Sequence, residues 1–175
     1  MAVDAFIWFK NASVGSTPEG DTTDAFFSKE KAFEIKDFSF GVENPTTIGS
    51  ATSGAGAGKV KFNEFTIKRT TDKSSPLLFK NCCVGAHYGS VIIAMRKAGG
   101  DPATAAKEYL RFRFDTVFTT KIDWSGPGDE GPEESITFAY GKLGIMFTPP
   151  ALGSKPVSAG WDQVLNKDAT DLVGR

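Results

Sequence analysis

Cysteine and histidine are both scarce in this sequence of 175 residues, which has two adjacent cysteines, Cys82 and Cys83, and one histidine, His87. A disulfide between neighbouring residues would strain the backbone, so we expect free thiols and folding in a reducing compartment. A zinc site needs about four ligands, and no second cluster of Cys and His completes that number. We therefore expect no metal. A Cys–His nucleophilic pair is the alternative, and a buried helix cysteine with a turn histidine is the simpler interpretation.

The sequence also lacks an excess of charge, because 20 Lys and Arg balance 21 Asp and Glu at a net charge of −1. That balance argues against a general binder of nucleic acids or anionic membranes. No apolar run reaches the roughly 18 residues of a membrane span, so we expect no membrane insertion. The first residues, "MAVDAFIWFK", carry Asp4 early and no basic region. We expect no cleaved signal peptide, and hence another route if the protein is exported.

No set of residues for catalysis can be assembled from the sequence, which offers neither paired carboxylates nor a Ser/His/Asp set. The acidic segment "GDEGPEES" at 128–135 lacks the ligand spacing of a calcium loop and is predicted to be a solvated turn before a strand. In "LRFRF" at 110–114, a strand would place the arginines opposite the phenylalanines, whereas single-strand nucleic-acid platforms need both on one face. We therefore expect no enzyme, no cofactor and no nucleic acid.

What the sequence has in plenty is phenylalanine, with 15 residues against 3 tyrosines. A domain of this length buries roughly 70% of its unfolded surface. So many phenylalanines predict either a very aromatic core or apolar area left over for an interface.

The apolar residues recur mostly with the period of two that is typical of strands. Residues 3–9 are apolar on both faces, and 91–97 and 108–120 are predicted to be further strands. The alternation changes phase inside three more segments, 32–42, 60–69 and 136–147. Such changes indicate β-bulges or sharp bends. The pattern predicts a mainly β fold, a compact closed or nearly closed β-barrel of bent antiparallel strands.

One short α-helix is predicted at about residues 75–84. Ser74 or Ser75 is a suitable N-cap, Pro76 suits the first turn and Gly85 ends the helix. The expected buried stripe consists of Leu77, Leu78 and Cys82.

Long loops are predicted where Gly, Pro, Ser, Thr and Asp are dense, at 11–30, 44–58, 99–107 and 125–133. After Pro149 the chain is expected to be loop-like, with a short amphipathic stretch, "GWDQVLNKD". We expect a single barrel domain at 1–166 and a C-terminal tail at 167–175.

The glycine-rich segment "GSATSGAGAGK" at 49–59 ends in lysine, as phosphate-binding loops do. Such a loop needs Gly, four residues, then Gly-Lys-Ser/Thr, between a strand and a helix. Here Ser53 stands in place of the first glycine, Val60 follows Lys59, and a strand comes next. We expect no nucleotide site, and a connection this long between strands is typical of a functional loop.

Several blocks of the sequence carry a resemblance: "MAVDAFIWF", "GAGAGKV", "TTDKSSPLLFKNC", "AHY", "RKAGG", "EYLRFRF", "GPEESITFAYGKLGIMFTP" and a final "GWD…N". In this order they resemble the haemolysin-coregulated protein (Hcp) family of bacterial type VI secretion systems. They span residues 1 to about 166, and "RKAGG" followed by "EYL" is the most specific. The chain departs from the family at 15–32, which is longer or more divergent, and at Phe40, where the family often has Trp. No large C-terminal extension of the toxin-bearing kind is indicated.

The resemblance implies a β-barrel with one flanking helix, of which six copies form a ring with a wide pore. Rings stack into an inner tube with effectors in its lumen, a spike protein at its tip and a contractile sheath around it. Two other interpretations stay open: the tube protein of a phage tail or of an extracellular contractile injection particle, and a small-ligand-binding β-barrel. The number of inward phenylalanines argues against the ligand-binding barrel, because a barrel this small would be filled.

For the glycine-rich segment we predict a ring-stacking role. Residues 46–58 are almost without large apolar side chains and allow close approach to another surface. The segment is therefore expected to project from one face of the ring towards the next. Its predicted stacking residues are Thr46, Thr47, Ile48, Gly49, Ser50, Gly54, Gly56 and Gly58.

Overall fold

The structure is a computed structural model that describes residues 3–47, 56–97, 108–149 and 153–174. The described residues are mainly strand, with one α-helix and two short 3-10 helices. The strands are β1 (Val3–Ala12), β2 (Phe33–Ile35), β3 (Asp37–Ser39), β4 (Val42–Glu43), β5 (Thr46–Thr47), β6 (Gly56–Ala57), β7 (Lys61–Phe62), β8 (Phe65–Thr70), β9 (His87–Lys97), β10 (Glu108–Gly128), β11 (Gly131–Phe147), β12 (Val157–Asp162) and β13 (Lys167–Asp168). The helices are α1 (Ser75–Cys83), η1 (Phe27–Glu30) and η2 (Thr170–Leu172). No helix among these residues is long and apolar enough to cross a membrane.

Nine strands form one antiparallel sheet in the order β13-β12-β11-β10-β9-β1-β2, and β8 joins it by pairing with both β11 and β3. One edge of strand β11 pairs with β10 along most of its length. Its other edge pairs with two different strands. Residues 133–138 pair with β8, whereas residues 142–147 pair with β12. The sheet therefore divides at the middle of β11.

Two of the three predicted phase changes fall at interruptions in the strands, whereas the third lies within the continuous strand β11. In 32–42 the break is at Lys36, because β2 pairs with β1 while β3 pairs with β8. In 60–69 it lies between β7 and β8. Opposite 136–147, the register of β10 shifts between Thr119 and Lys121, and Thr116 has a φ of 56°, which is rare for a β-branched residue. Within the described residues the hydrogen-bonded ladders do not close into a ring, so the barrel itself stays a prediction.

The core is strongly aromatic, as the phenylalanine count predicted. Phe65 is fully buried and stacks on Phe114 and Phe138, with ring centroids 4.1 and 4.7 Å apart. A second cluster lies apart from this core and contains Phe6, Trp8, Phe27, Ala32, Ile92 and Ala94. Phe27 belongs to the divergent segment 15–32 and stacks on Phe6 at 4.3 Å. The prediction that residues 3–9 are covered on both faces is confirmed for Phe6–Phe9, whereas Val3 is exposed.

Helix α1 confirms the predicted helix, with Pro76 in its first turn and Gly85 just beyond its end at a φ of 67°. Its buried face is different from the predicted stripe. Leu78 is buried as expected, but Cys82 is only half-buried and Asn81 is buried instead. The Asn81 amide donates to the Tyr88 hydroxyl at 3.2 Å, so the helix covers a polar pair. Burial raises the pKa of Tyr88.

The loops predicted at 125–133 and after Pro149 are wrong. Residues 125–133 lie in a hairpin, because β10 runs to Gly128 and β11 begins at Gly131. Glycine and proline suggested a loop there, but the ladder to β11 only shifts register at Gly126 and Pro127 and pairs again at Gly128. The second error is at 157–168, where β12 and β13 extend the sheet instead of forming a loop.

The chain after residue 167 packs on the sheet. Val173 is fully buried over Gly144, where any β-carbon would collide with the valine. Glycine on β11 therefore makes room for the end of the chain. The apolar signal for this docking is confined to Leu172 and Val173, which is too short to be recognised in the sequence.

Candidate assembly surfaces

The second half of β11 and its partner β12 present an apolar face that the chain itself leaves uncovered. The residues of this open sheet face are Ile145, Phe147, Val157, Ala159 and Trp161. The ladder pairs Ile145 with Ala159 and Phe147 with Val157. Phe147 is 43% exposed and Val157 67%, whereas Leu143, two residues before Ile145, is 4% exposed. The face therefore continues the aromatic core beyond the point where the sheet divides.

A groove of about 360 Å³ runs along this face. Its lining is apolar except for Asp168 and consists of Val42, Val60, Phe62, Leu143, Ile145, Ala159, Gly160 and Trp161. One wall is the open sheet face and the other is the base of the glycine-rich segment. Exposed apolar grooves are typical of sites that bind a protein surface or a ligand.

The glycine-rich segment belongs to a longer arm, residues 42–62, whose described part is a β-hairpin and not a loop. Strand β4 pairs with β7, and β5 pairs with β6 further along the same arm. The Phe62 N–H donates to the Gln163 side-chain oxygen at 2.6 Å, which ties the arm to the end of β12. The Gly58 N–H donates to the Pro45 carbonyl at 2.9 Å, and a side chain at Gly58 would collide with that carbonyl.

The predicted stacking residues divide between the described and undescribed parts of the arm. Thr46 and Thr47 form β5, Gly56 lies in β6, and Gly58 follows it. Ile48, Gly49, Ser50 and Gly54 lie outside the described residues. The prediction of a loop over all of 44–58 is wrong, because the arm has paired strands on both sides of its tip. The sequence signal was there, since Thr46, Thr47 and Val60 suit strands, but the surrounding glycines obscured it.

The turn between β12 and β13 holds two strongly exposed aliphatic side chains, Val164 at 67% and Leu165 at 61%. The Leu165 N–H donates to the Asp162 carboxylate at 2.9 Å, and Lys142 lies 3.4 Å from the same carboxylate. The backbone hydrogen bond from Leu165 is the main cause that lowers the pKa of Asp162, and the Lys142 ammonium adds to it against the opposing effect of burial. The turn is therefore fixed by a buried charge beside the open sheet face.

The sparse cysteines and histidine do not form a reactive centre in the described part of the chain. Cys82 points to the Thr119 carbonyl at 3.8 Å, and burial raises the pKa of its thiol, the opposite of what a nucleophile needs. Cys83 is exposed, and the His87 ring lies 5.2 Å from Phe118. No group of three metal-ligating side chains occurs among the described residues.

Sequence reasoning missed a buried ion pair between Arg69 and Glu134. The Arg69 Nε donates to Glu134 Oε1 at 2.5 Å, and the two side chains are 2% and 0% exposed. Ser75 of α1 also donates to Glu134, at 3.0 Å. A signal existed, because Glu134 shares the strand parity of the core residues Ile136 and Phe138. The cluster of acidic residues around it suggested a solvated turn instead.

The comparisons with known proteins agree with this fold. The family model described as "Type VI secretion system effector, Hcp" matches residues 6–147. Protein hcp1 of Pseudomonas aeruginosa is 30% identical over 109 residues, which cover 59% of this chain and 65% of that protein. The match thus leaves about a third of that relative's length unaligned.

Solved structures extend the similarity over nearly the whole chain. Hcp1 from Salmonella typhimurium has a TM-score of 0.74 at 22% identity, covering 97% of this chain and 100% of that one. A type six secretion system protein reaches 0.81 at 22% identity, covering 96% and 100%. A type VI secretion effector from Yersinia pestis reaches 0.68 at 24% identity, covering 91% and 99%. These likenesses show the shared fold, and since the family model covers most of the sequence, the chain belongs to the Hcp family of type VI secretion.

Proposed function

We propose that this protein is the structural subunit of a type VI secretion tube. Six copies form a ring, rings stack into an exported tube, and effectors travel in its lumen. The observation that carries the proposal is the open sheet face, an apolar continuation of the core that the chain does not cover. Family membership supplies the context, and the role is mechanical rather than catalytic.

Ring formation follows from the position of that face. In a cyclic assembly each subunit uses two different patches, so one patch always meets the other on the next copy. The open sheet face and its groove serve as one patch, and the next copy covers Ile145, Phe147 and Trp161. Covering this surface protects it from the non-specific association that exposed apolar sheets invite.

We further propose that each subunit closes into the predicted barrel. The Lys36 N–H donates to the Lys68 carbonyl at 2.8 Å, beside the point where β2 gives way to β3. Since β2 pairs with β1 and β3 pairs with β8, the continuous stretch 33–39 would join the two edges of the sheet. In this proposal residues 1–166 form one barrel domain and the tail 167–175 packs on its outside.

The glycine-rich arm is proposed to make the ring-to-ring contact. Its base is fixed by Phe62 and Gln163, so the arm has a defined exit direction. Ordering a glycine-rich tip costs about 1 kcal/mol per residue, so six copies acting together make stacking cooperative. The finished tube is expected to carry a spike protein at its tip, to lie inside a contractile sheath and to leave the cell by the type VI route.

The arm can be tested separately from the ring. We would replace residues 48–55 with Asn-Gly, which closes β5 and β6 by a two-residue turn. The matched control puts Asn-Gly at Asp129–Glu130, the turn of the β10–β11 hairpin. Rings of native mass and native thermal stability are expected for both, but only the control should make tubes visible by negative-stain microscopy and be exported. Long tubes from the shortened arm would refute the stacking role, and loss of rings would place the arm at the subunit interface.

A further inference from the structure

A second apolar surface lies between α1 and the β10–β11 hairpin. Phe79 is 51% exposed and Trp124 is 50% exposed, and their ring centroids are 6.0 Å apart. They line a groove of about 400 Å³ together with Thr71, Asp72, Ser75 and Pro76. We call this the Phe79–Trp124 surface. Trp124 lies opposite Glu134 near the start of β11, whereas the open sheet face lies at the end of that strand, so the two apolar surfaces sit at opposite ends of β11.

The indole of Trp124 is held in place from inside the protein. Its Nε1–H donates at 3.1 Å to Oε2 of Glu134, whose side chain is buried. The other oxygen of that carboxylate accepts from Arg69 and Ser75 at 2.5 and 3.0 Å. A side chain that is fixed before binding loses little entropy on binding. The half-exposed indole is therefore presented in a fixed orientation to the surface that covers it.

Two of the polar side chains that line this groove already have partners within the chain. The Asp72 carboxylate accepts from the Arg69 guanidinium, and the Ser75 hydroxyl donates to Glu134. A partner is therefore recognised mainly through the two aromatic rings, and binding anchors of this kind tend to meet apolar anchors on the other surface. The open sheet face offers such anchors, of which Phe147 is an aromatic example.

The area that a stable contact needs favours a folded partner over a single apolar anchor. A specific protein interface buries about 800 Å² on each side, and a fully buried aromatic side chain contributes roughly 150–250 Å². The two half-exposed rings therefore supply only about 200 Å². The remainder comes from the helix and the hairpin around them, which a sheet face of the size of β11 and β12 can cover.

We propose that the Phe79–Trp124 surface of one copy receives the open sheet face of the next copy, so that these two surfaces are the two patches of the ring. The inference rests on the proposed function and adds which surfaces meet. Contact between like surfaces would give a dimer with two-fold symmetry and would leave the other apolar surface of each copy uncovered. Contact between unlike surfaces at opposite ends of β11 leaves neither uncovered once the ring closes.

The test mixes two variants of the full chain, each of which lacks a different patch. Phe79→Asp breaks one patch and Ile145→Asp the other, so each variant alone is expected to be a folded single chain by circular dichroism and light scattering. Mixed in equal amounts they keep one intact contact between them, and the expected mass is about twice the chain mass of 18.7 kDa and no larger. Phe26→Asp, the control at a phenylalanine that is 52% exposed, should keep the ring mass. Val157→Asp replaces Ile145→Asp if that variant does not fold.

The outcomes separate this pairing from the proposed function. A native ring together with a mixture that stays monomeric, or with a Phe79→Asp variant that keeps the ring mass, would overturn the pairing alone. Dissociation of the Phe26→Asp control would also overturn it, because the effect at Phe79 would not be specific. A native chain that is itself a monomer would refute the proposed function and the pairing together.

The affinity of the mixed pair, measured by titration calorimetry, then locates the contact. Trp124→Ala added to the Ile145→Asp chain removes a ring from the intact contact and should weaken the pair at least tenfold. The same change added to the Phe79→Asp chain falls on the patch that is already broken and should leave the affinity unchanged. Equal weakening in the two chains would overturn the assignment of the Phe79–Trp124 surface to this contact.

Discussion

The two halves of β11 carry similar apolar side chains but have opposite surroundings. In the first half, which pairs with β8, Ile136 and Phe138 are fully buried in the aromatic core. In the second half Ile145 and Phe147 are 38% and 43% exposed on the open sheet face. The difference arises because β8 ends its pairing at Phe138 and β12 takes over at Lys142. Alternating hydrophobicity therefore predicts a face that packs against another surface, but it does not distinguish a surface of the same chain from that of another copy.

The buried half should be the more sensitive to truncation. Replacing Phe138 with Ala is expected to lower the free energy of unfolding by about 4 kcal/mol, because a large core side chain is lost and a cavity remains. Chemical denaturation of the purified variant gives the value. Phe147→Ala, the matched change on the same strand, should lower it by less than about 1 kcal/mol in dissociated subunits. Equal losses at the two positions would remove the distinction between the two halves.

The charged end of the buried half should behave differently from its aromatic part. Glu134→Leu alone is expected to destabilise the fold by about 3 kcal/mol, because it removes the buried carboxylate from the Nε of Arg69 and leaves the half-buried Asp72 as the only carboxylate on this buried cation among the described residues. The double variant Arg69→Met/Glu134→Leu should recover most of that loss. Denaturation curves of the three proteins form the comparison. A double variant as unstable as the single one would mean that the ion pair itself, and not the avoidance of an unpaired charge, supports the core.

The end of the chain offers a smaller test, on the face of β11 that Val173 covers. Val173→Ala should cost about 2 kcal/mol, because two methyl groups leave a fully buried site over Gly144. Val164→Ala, at an exposed site nearby in the sequence, is the control and should change little. Stability unaffected by Val173→Ala would show that the tail is not part of the folded domain.

The smallest expected effect is the pH dependence of the turn that holds Val164 and Leu165. The pKa of Asp162 is lowered in the folded protein, so its stabilisation is present above the unfolded pKa of about 4 and is lost as the pH falls through the folded pKa. Asp162→Asn should therefore cost about 1 kcal/mol near pH 7, and the difference should shrink towards pH 3. Thermal unfolding across this range measures it. A difference that is constant with pH would exclude the carboxylate charge as its source.

Much of the fold could be predicted from the sequence, because the local signals agree with the final structure. Pro76 and Gly85 bound the helix, and two of the three phase changes mark where strands break. The errors lie where turn residues occur inside paired strands, as in 125–133, and where the apolar signal is short, as at Val173. The open sheet face could not be predicted, because Ile145 and Phe138 differ only in which strand lies beside them.

The measurement that tests the central claim most directly is the solution mass, by light scattering, of the native chain beside an Ile145→Asp variant across a broad micromolar range. A charge on the open sheet face cannot be buried cheaply against a neighbouring copy. The account predicts about six times the chain mass of 18.7 kDa for the native protein and a folded single chain for the variant. A native protein that is a monomer throughout, or a variant that keeps the ring mass, would contradict it.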